Sequence, residues 1–141
     1  NAMVQGAPKA DEVMREFASF LGDKPLVAHN ASFDRRFLEA EFARIGRPCR
    51  HTFGCSMLTA RRIYPEAPNH KLETLVRYKR LRTDVTFHRA LADAEMAARL
   101  WQRMIDDLQA GYGLAQVPFA LMCGLMKVTK GRVGEYLAQW R

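Results

Sequence analysis

The 141-residue sequence lacks the features that mark several common classes of protein. No apolar run approaches the roughly 20 residues that a membrane helix needs, and no signal peptide opens the chain. Its three cysteines are an odd number without C-x-x-C spacing, namely Cys49, Cys55 and Cys123. This pattern argues against a disulfide scaffold and against a zinc site. We therefore expect a cytoplasmic protein without a membrane partner.

The chain also has fewer acidic than basic residues. The chain has 22 Lys and Arg against 15 Asp and Glu, so its net charge is 22 − 15 = +7. Such an excess favours a polyanionic partner such as nucleic acid, although many basic globular proteins bind none. Hydrophobic residues make up 48% of the chain and aromatic residues 10%, which excludes an intrinsically disordered tail.

The apolar spacing predicts mostly helices and only two short strands, at Leu26–Ala28 and Thr52–Cys55. The predicted helices carry their apolar residues within 13–21, 37–45, 58–63, 72–76, 91–108, 119–126 and 133–140. We expect one face of the second predicted helix to carry Phe37, Leu38, Phe42 and Ile45. In the longest predicted helix the apolar positions at helical spacing are Leu91, Ala94, Ala98, Trp101, Ile105 and Leu108. Two strands make a poor sheet on their own, so we expect further strands to be missing or supplied by a partner.

The first stretch with candidate chemistry follows the first predicted strand directly. His29 and Asn30 lie at the end of the strand, and Asp34 falls in the first turn of the next helix. The carboxyl end of a strand is where α/β proteins place functional groups, and a carboxylate there can hold a metal ion. The alternative is that Asn30 or Ser32 caps the helix and Asp34 complements its dipole.

The second stretch lies at the start of the longest predicted helix. His88 precedes this helix and Asp93 falls in its first turns. Five helical positions rotate by about 500°, or about 140° net, so the two side chains converge only if His88 lies in the preceding loop. A histidine there has the freedom that a general base needs. The alternative is a solvated histidine and a dipole-complementing aspartate.

Together the two stretches resemble the DEDDh family of 3′–5′ exonucleases, which includes the proofreading subunit of bacterial replicative polymerases, ribonuclease T and oligoribonuclease. The similarity covers about residues 7–104 and includes the segments 27–34, 60–65, 70–75 and 88–93. The resemblance implies an α/β, ribonuclease H-like fold and two Mg²⁺ or Mn²⁺ ions. It implies that Asp34 and Asp93 are catalytic metal ligands, that His88 is the general base, and that His29 and Asn30 bind substrate.

One motif of the family is not found. Its first motif, Asp-x-Glu on an opening strand, should precede Leu26 by many tens of residues. The chain's one Asp-x-Glu starts at Asp93, and residues i and i+2 of a helix diverge by about 200°. We therefore expect an N-terminally truncated domain that binds metal weakly and is inactive or nearly so. Its first strand would have an unpaired edge, which favours a homodimer or swapped oligomer.

We expect the intact protein to be a metal-dependent 3′–5′ exonuclease that acts on single-stranded DNA or RNA ends, with a polymerase or another replication or repair protein as partner. The alternative is a non-catalytic nucleic-acid-binding or protein-docking module. The basic segments 35–36, 61–62 and 77–82 either follow a phosphate backbone or are solvated helix faces. We divide the chain into a tag remnant and start methionine (1–3), a partial exonuclease domain (4–109) and a helical extension of unknown role (110–141).

Overall fold

The computed structural model of the protein describes residues 2–83 and 89–141. Within these ranges the chain forms seven α-helices and two β-strands, so the predicted α/β class with mostly helical content is confirmed. The elements are α1 (Ala10–Leu21), β1 (Leu26–Ala28), α2 (Ala31–Arg44), β2 (Phe53–Cys55), α3 (Ser56–Ile63), α4 (Leu72–Tyr78), α5 (Ala90–Tyr112), α6 (Phe119–Leu125) and α7 (Val133–Ala138). No helix in the described part of the chain is long and apolar enough to cross a membrane.

The two strands pair in parallel, with Val27 opposite Gly54. The Leu26 N–H donates to the Thr52 carbonyl oxygen at 2.9 Å, on the side of β2. Because alternate residues of a parallel strand bond to the same neighbour, the N–H and C=O of Val27 face the opposite edge. The carboxyl ends of both strands lie at the same end of the sheet, which brings together the residues that follow each strand.

The core consists of two clusters of buried side chains. One lies between α1, α2 and the sheet and includes Leu38, Phe42 and Phe53. The other lies between helices α3 to α7 and is the larger. Residues 110–141 contribute to this larger cluster with the buried side chains Leu114, Leu121, Met122, Leu125, Val133 and Leu137. The segment predicted as a helical extension therefore packs into the core, although its division from residues 4–109 stays a prediction.

Helix α6 also covers the outer edge of β2. The Cys55 N–H donates to Met126 Sδ at 3.0 Å, just beyond the end of α6. The ring of Phe119 and that of Trp101 approach the Cα of Gly54 so closely that an added Cβ would lie 2.8 Å from Trp101 and 3.0 Å from Phe119. Glycine is thus the residue that lets these two rings pack against the strand.

A polar network joins the ends of α3 and α4 to the C-terminal half of α5. The Tyr64 hydroxyl donates to Asp107 Oδ2 at 2.6 Å, Lys79 Nζ lies 2.7 Å from the same oxygen, and Arg103 Nε donates to Oδ1 at 3.1 Å. Burial opposes ionisation of Asp107, but the hydrogen bonds from Lys79 and Tyr64 outweigh it and lower the pKa of Asp107. This network ties α5 to the ends of α3 and α4.

The helices are confirmed, but two predicted apolar faces are wrong in detail. Leu38 and Phe42 are buried as expected, whereas Phe37 is 60% exposed. Phe37 lies about 100° around the helix from Leu38, and the elements packed against α2 cover Leu38 and Phe42 but not Phe37. In α5 the predicted face begins at Leu91, which is 83% exposed. The side chains of α5 that are buried are instead those of Ala92, Met96, Ala97, Leu100, Met104 and Leu108.

Apolar side chains are exposed on α1 and α2. Phe20 is 77% exposed and Phe33 is 64% exposed, and Phe37 lies one turn beyond Phe33. In the described ranges β1 pairs with β2 alone. The expected self-association was based on an unpaired edge of the first strand. The homodimer or swapped oligomer stays a prediction.

Candidate active site

His29 lies where the two parallel strands end. Its Nε2 is 2.8 Å from the carbonyl oxygen of His70, and its Nδ1 is 2.8 Å from Ser56 Oγ. A carbonyl oxygen only accepts, so Nε2 carries the ring proton and Nδ1 accepts from the Ser56 hydroxyl. Burial lowers the pKa of His29, which keeps the ring neutral in this arrangement. The ring therefore joins β1 to the start of α3 and to the loop before α4.

Asn30 forms the turn between β1 and α2. Its φ of 64° and ψ of 53° lie in the left-handed region, which asparagine tolerates better than most residues. Its carbonyl oxygen accepts from the Phe33 N–H at 3.1 Å, but its side chain makes no capping hydrogen bond. The capping alternative is thus wrong for Asn30, since an N-cap side chain acts from extended backbone. It is also wrong for Ser32, which lies inside α2.

Asp34 lies in the first turn of α2, as predicted. Burial is the largest influence on its carboxyl group and raises the pKa of Asp34, against the effects of its own backbone N–H and of nearby His29. A helix dipole acting alone would lower this pKa. The carboxyl group is therefore partly desolvated at the wall of a cavity, where a cation would stabilise its charged form.

A cavity of about 550 Å³ brings Asp34 and Asp93 together. Its walls come from the carboxyl end of β1, the first turns of α2 and α4, and the first two turns of α5. The residues that line it are Val27, Ala28, His29, Phe33, Asp34, Lys71, Leu72, Glu73, Thr74, Ala90, Asp93, Ala94 and Ala97. Asp93 is half-buried, and its N–H donates to the Arg89 carbonyl oxygen at 2.9 Å. Two aspartates from separate stretches of sequence thus line one cavity.

The other predicted site residues are placed as follows. His29 lines this cavity, and Asn30 lines a neighbouring groove that also contains His29. Glu95 forms an ion pair with Arg99 at 2.6 Å on the exposed side of α5, as a solvated helix-face charge does. His88 lies outside the described residues.

Two residues of the site were not predicted. Ser56 and His70 hold the His29 ring, and neither was assigned a role from the sequence. The signal for Ser56 is its position directly after β2, since the ends of parallel strands meet at one edge of a sheet. His70 acts through its backbone carbonyl oxygen, which carries no signal in the sequence.

The donor chemistry of the cavity fits a hard divalent cation. Aspartate oxygens are ligands that Mg²⁺ and Mn²⁺ prefer, and Asp34 and Asp93 both line the cavity. Within residues 2–83 and 89–141, no three His, Cys, Asp or Glu side chains lie close enough together to hold a metal ion. Asp34 and Asp93 therefore have the ligand chemistry that a divalent cation prefers, and they supply part of the ligand set that it needs.

Known proteins resemble this chain over the part that contains the candidate site. A family model described as "Exonuclease" matches residues 1–101. The chain is also similar to proteins named "DNA polymerase III PolC-type": 39% identical over 106 residues to that of Halalkalibacterium halodurans and 37% over 108 residues to that of Bacillus cereus. These alignments cover 74% and 75% of this chain and 7% of each relative, so the chain spans under a tenth of their length.

No solved structure matches the chain. The family match nevertheless covers well over half of the sequence and contains both stretches from which the resemblance was drawn. It ends within α5, eight residues beyond Asp93, since 101 − 93 = 8. The chain therefore belongs to the exonuclease family, and its assignment to the DEDDh group is confirmed.

Proposed function

We propose that this domain hydrolyses phosphodiester bonds at the 3′ end of single-stranded DNA or RNA with the aid of divalent metal ions. The observation that carries the proposal is the meeting of Asp34 and Asp93 at one cavity, although they lie 93 − 34 = 59 positions apart. The cavity also has the size of a small-molecule site and is bordered by Lys71, whose charge suits a phosphate.

In the proposed reaction, Asp34 and Asp93 hold Mg²⁺ or Mn²⁺. A divalent ion held by these two carboxylates would supply the chemistry of lowering the pKa of a water molecule and stabilising the charge on the leaving 3′ oxygen. His88 accepts the proton of that water as the phosphodiester bond breaks. The water oxygen thus becomes part of the 5′-phosphate of the released nucleotide. The P–O3′ bond breaks, and the 3′ oxygen of the shortened strand takes a proton from solvent to become a hydroxyl group.

His29 and Asn30 are proposed to position the substrate. Both ring nitrogens of His29 are engaged by Ser56 and His70, and its lowered pKa keeps the ring neutral. A ring held in this way is poorly suited to receive a proton, which leaves the general-base role to His88. Asn30, whose backbone is left-handed, lines the groove next to this cavity, which supports a contact with substrate.

We expect this 141-residue chain to bind a 3′ end but to cleave it little. Two carboxylates supply fewer oxygen ligands than two ions about 3.5–4 Å apart require. A third carboxylate at the cavity, that of Glu73, is paired with Arg77. A polymerase or another replication protein remains the proposed partner, since the relatives are named as DNA polymerase III PolC-type proteins.

The test is binding of a 5′-labelled single-stranded oligonucleotide, followed by fluorescence anisotropy with Mn²⁺ or with chelator. We expect Mn²⁺ to tighten binding of a strand that ends in a 3′-hydroxyl by about tenfold, or about 1.4 kcal/mol. Asp34→Asn and Asp93→Asn should abolish this effect. Asp106→Asn, an exposed position on the same helix as Asp93, is the matched control and should retain it.

Binding that responds neither to Mn²⁺ nor to Asp93→Asn would contradict the proposal and favour a non-catalytic nucleic-acid-binding module. The same samples, resolved on a gel, report cleavage as a ladder of strands shortened from the 3′ end. Rapid shortening by this chain would contradict the expectation of weak activity.

A further inference from the structure

A separate notch lies at the end of the sheet opposite to the candidate active site. It has a volume of about 390 Å³ and is formed by the end of α1, the last turn of α2 and the loop that leads into β2. Asp34 and Phe42 are 42 − 34 = 8 positions apart on α2, or about 12 Å along its axis, so a ligand of the notch leaves the active-site cavity free. The residues that line the notch are Ala18, Gly22, Asp23, Phe42, Arg47, Pro48, Arg50 and His51.

The rim of the notch carries an excess of positive charge. Arg47 and Arg50 line it and are exposed, and the neighbouring Lys24 is exposed as well. In the part of the chain that the structure describes, none of these three side chains forms an ion pair. Asp23 is the one acidic residue that lines the notch. The local charge is therefore 3 − 1 = +2, which attracts an anionic partner.

The floor of the notch is apolar and carries one free acceptor. Ala18 and Phe42 are buried there, and Pro48 borders them. The ring of His51 lies against that of Phe42, with the two centroids 6.2 Å apart. A carbonyl oxygen only accepts, so Nδ1 of His51 donates to the carbonyl oxygen of Lys24, at 2.8 Å. In the neutral ring Nε2 is then an acceptor, and it has no partner among the described residues.

We propose that the notch binds an acidic, extended segment of a partner protein, with Arg47 and Arg50 contacting its carboxylates and one apolar side chain on the floor. The planar guanidinium group of arginine binds a carboxylate through two parallel hydrogen bonds.

A peptide matches the whole notch, because it also brings a backbone N–H for Nε2 of His51 and an apolar side chain. The backbone of DNA matches only the rim, since it offers acceptors but neither an N–H nor an apolar side chain. The inference does not rest on the proposed function, because no residue of the notch lines the cavity of Asp34 and Asp93.

The test is a selection of phage-displayed random peptides of about twelve residues on the whole immobilised chain. We expect the selected peptides to be enriched in Asp and Glu around one Leu, Ile or Phe. The most frequent sequence is then synthesised with a fluorescein label, and its binding is measured by fluorescence anisotropy.

The variant Arg47→Gln/Arg50→Gln should weaken binding of this peptide by about tenfold, because two charged contacts at the rim are lost. Replacing the apolar residue of the peptide by Ser should weaken it as well. The matched control is Lys9→Gln/Lys130→Gln, which removes the same charge from exposed positions that do not line the notch.

Enrichment of acidic peptides whose binding depends on Arg47 and Arg50 supports the inference. A selection without enrichment, or one that enriches basic or uncharged peptides, overturns it. An equal loss in the control variant also overturns it, because the general positive charge of the chain then explains binding. Displacement of the peptide by an oligothymidylate overturns it too, because the notch then holds a polynucleotide. The Mn²⁺ effect of Asp34 and Asp93 is measured separately, so failure of either proposal is recognised on its own.

Discussion

Leu137 offers a direct test of how residues 110–141 contribute to the domain. Its side chain, on α7, has no exposed surface and belongs to the larger core cluster together with Leu108, Leu121 and Leu125. Leu137→Ala removes buried methyl groups and leaves a cavity among these neighbours. Substitutions of this kind cost about 2–5 kcal/mol, depending on how far the surroundings collapse.

The expected effect is large enough to measure in a chain of this length. About 2–5 kcal/mol corresponds to a fall in Tm of about 6–15 °C, at about 3 °C per kcal/mol. Urea unfolding followed by circular dichroism gives the free energy of unfolding, and an unchanged slope with urea would show that the unfolded state is unaffected. Leu91→Ala is the control, because Leu91 is 83% exposed and should change stability by less than about 0.5 kcal/mol.

The result that would refute this reasoning is a small effect at Leu137, equal to that at Leu91. It would mean that α7 does not share a cooperative unit with α5 and α6. A large effect would show that the segment beyond the family match stabilises the domain that carries the candidate site.

Three further predictions concern other parts of the molecule. Gly54→Ala should lower the free energy of unfolding by about 1–3 kcal/mol in urea, because its Cβ would meet the ring of Trp101 at 2.8 Å. Asp107→Asn should cost about 1–2 kcal/mol in the same assay, because Lys79 loses its carboxylate partner in a half-exposed network. The lowered pKa of His29 means that the unfolded chain binds more protons, so stability should fall as the pH drops below about 6.5. Melting curves across this range should show a weaker pH dependence in His29→Gln; an unchanged dependence would contradict the assignment.

Much of the fold follows from local signals. The short strand β1 is an apolar run bounded by Pro25 and polar residues, and α2 ends near Gly46, which has a φ of 68°. Such signals depend on residues close in sequence, so they predict where elements begin and end. They also place Asp34 and Asp93 in the first turns of helices, where the structure has them.

Tertiary relations were less predictable. Periodicity gives helices in residues 110–141, but their burial depends on α3 and α5, which are distant in sequence. The exposure of Phe37 depends on which neighbours cover α2, and the hydrogen bond from His29 reaches a backbone carbonyl oxygen at His70. Neither property belongs to a local pattern, so the sequence of each segment does not specify it.

The central claim is that Asp34 and Asp93 share one divalent-cation site. Electron paramagnetic resonance of free Mn²⁺, titrated with the chain and with Asp34→Asn, Asp93→Asn and the double variant, tests it directly. The account predicts weak binding by the wild-type chain, and a loss from each single substitution as large as that from the double, since ligands of one ion act together. Additive small losses, or Mn²⁺ binding by the double variant equal to that of the wild type, would contradict the account.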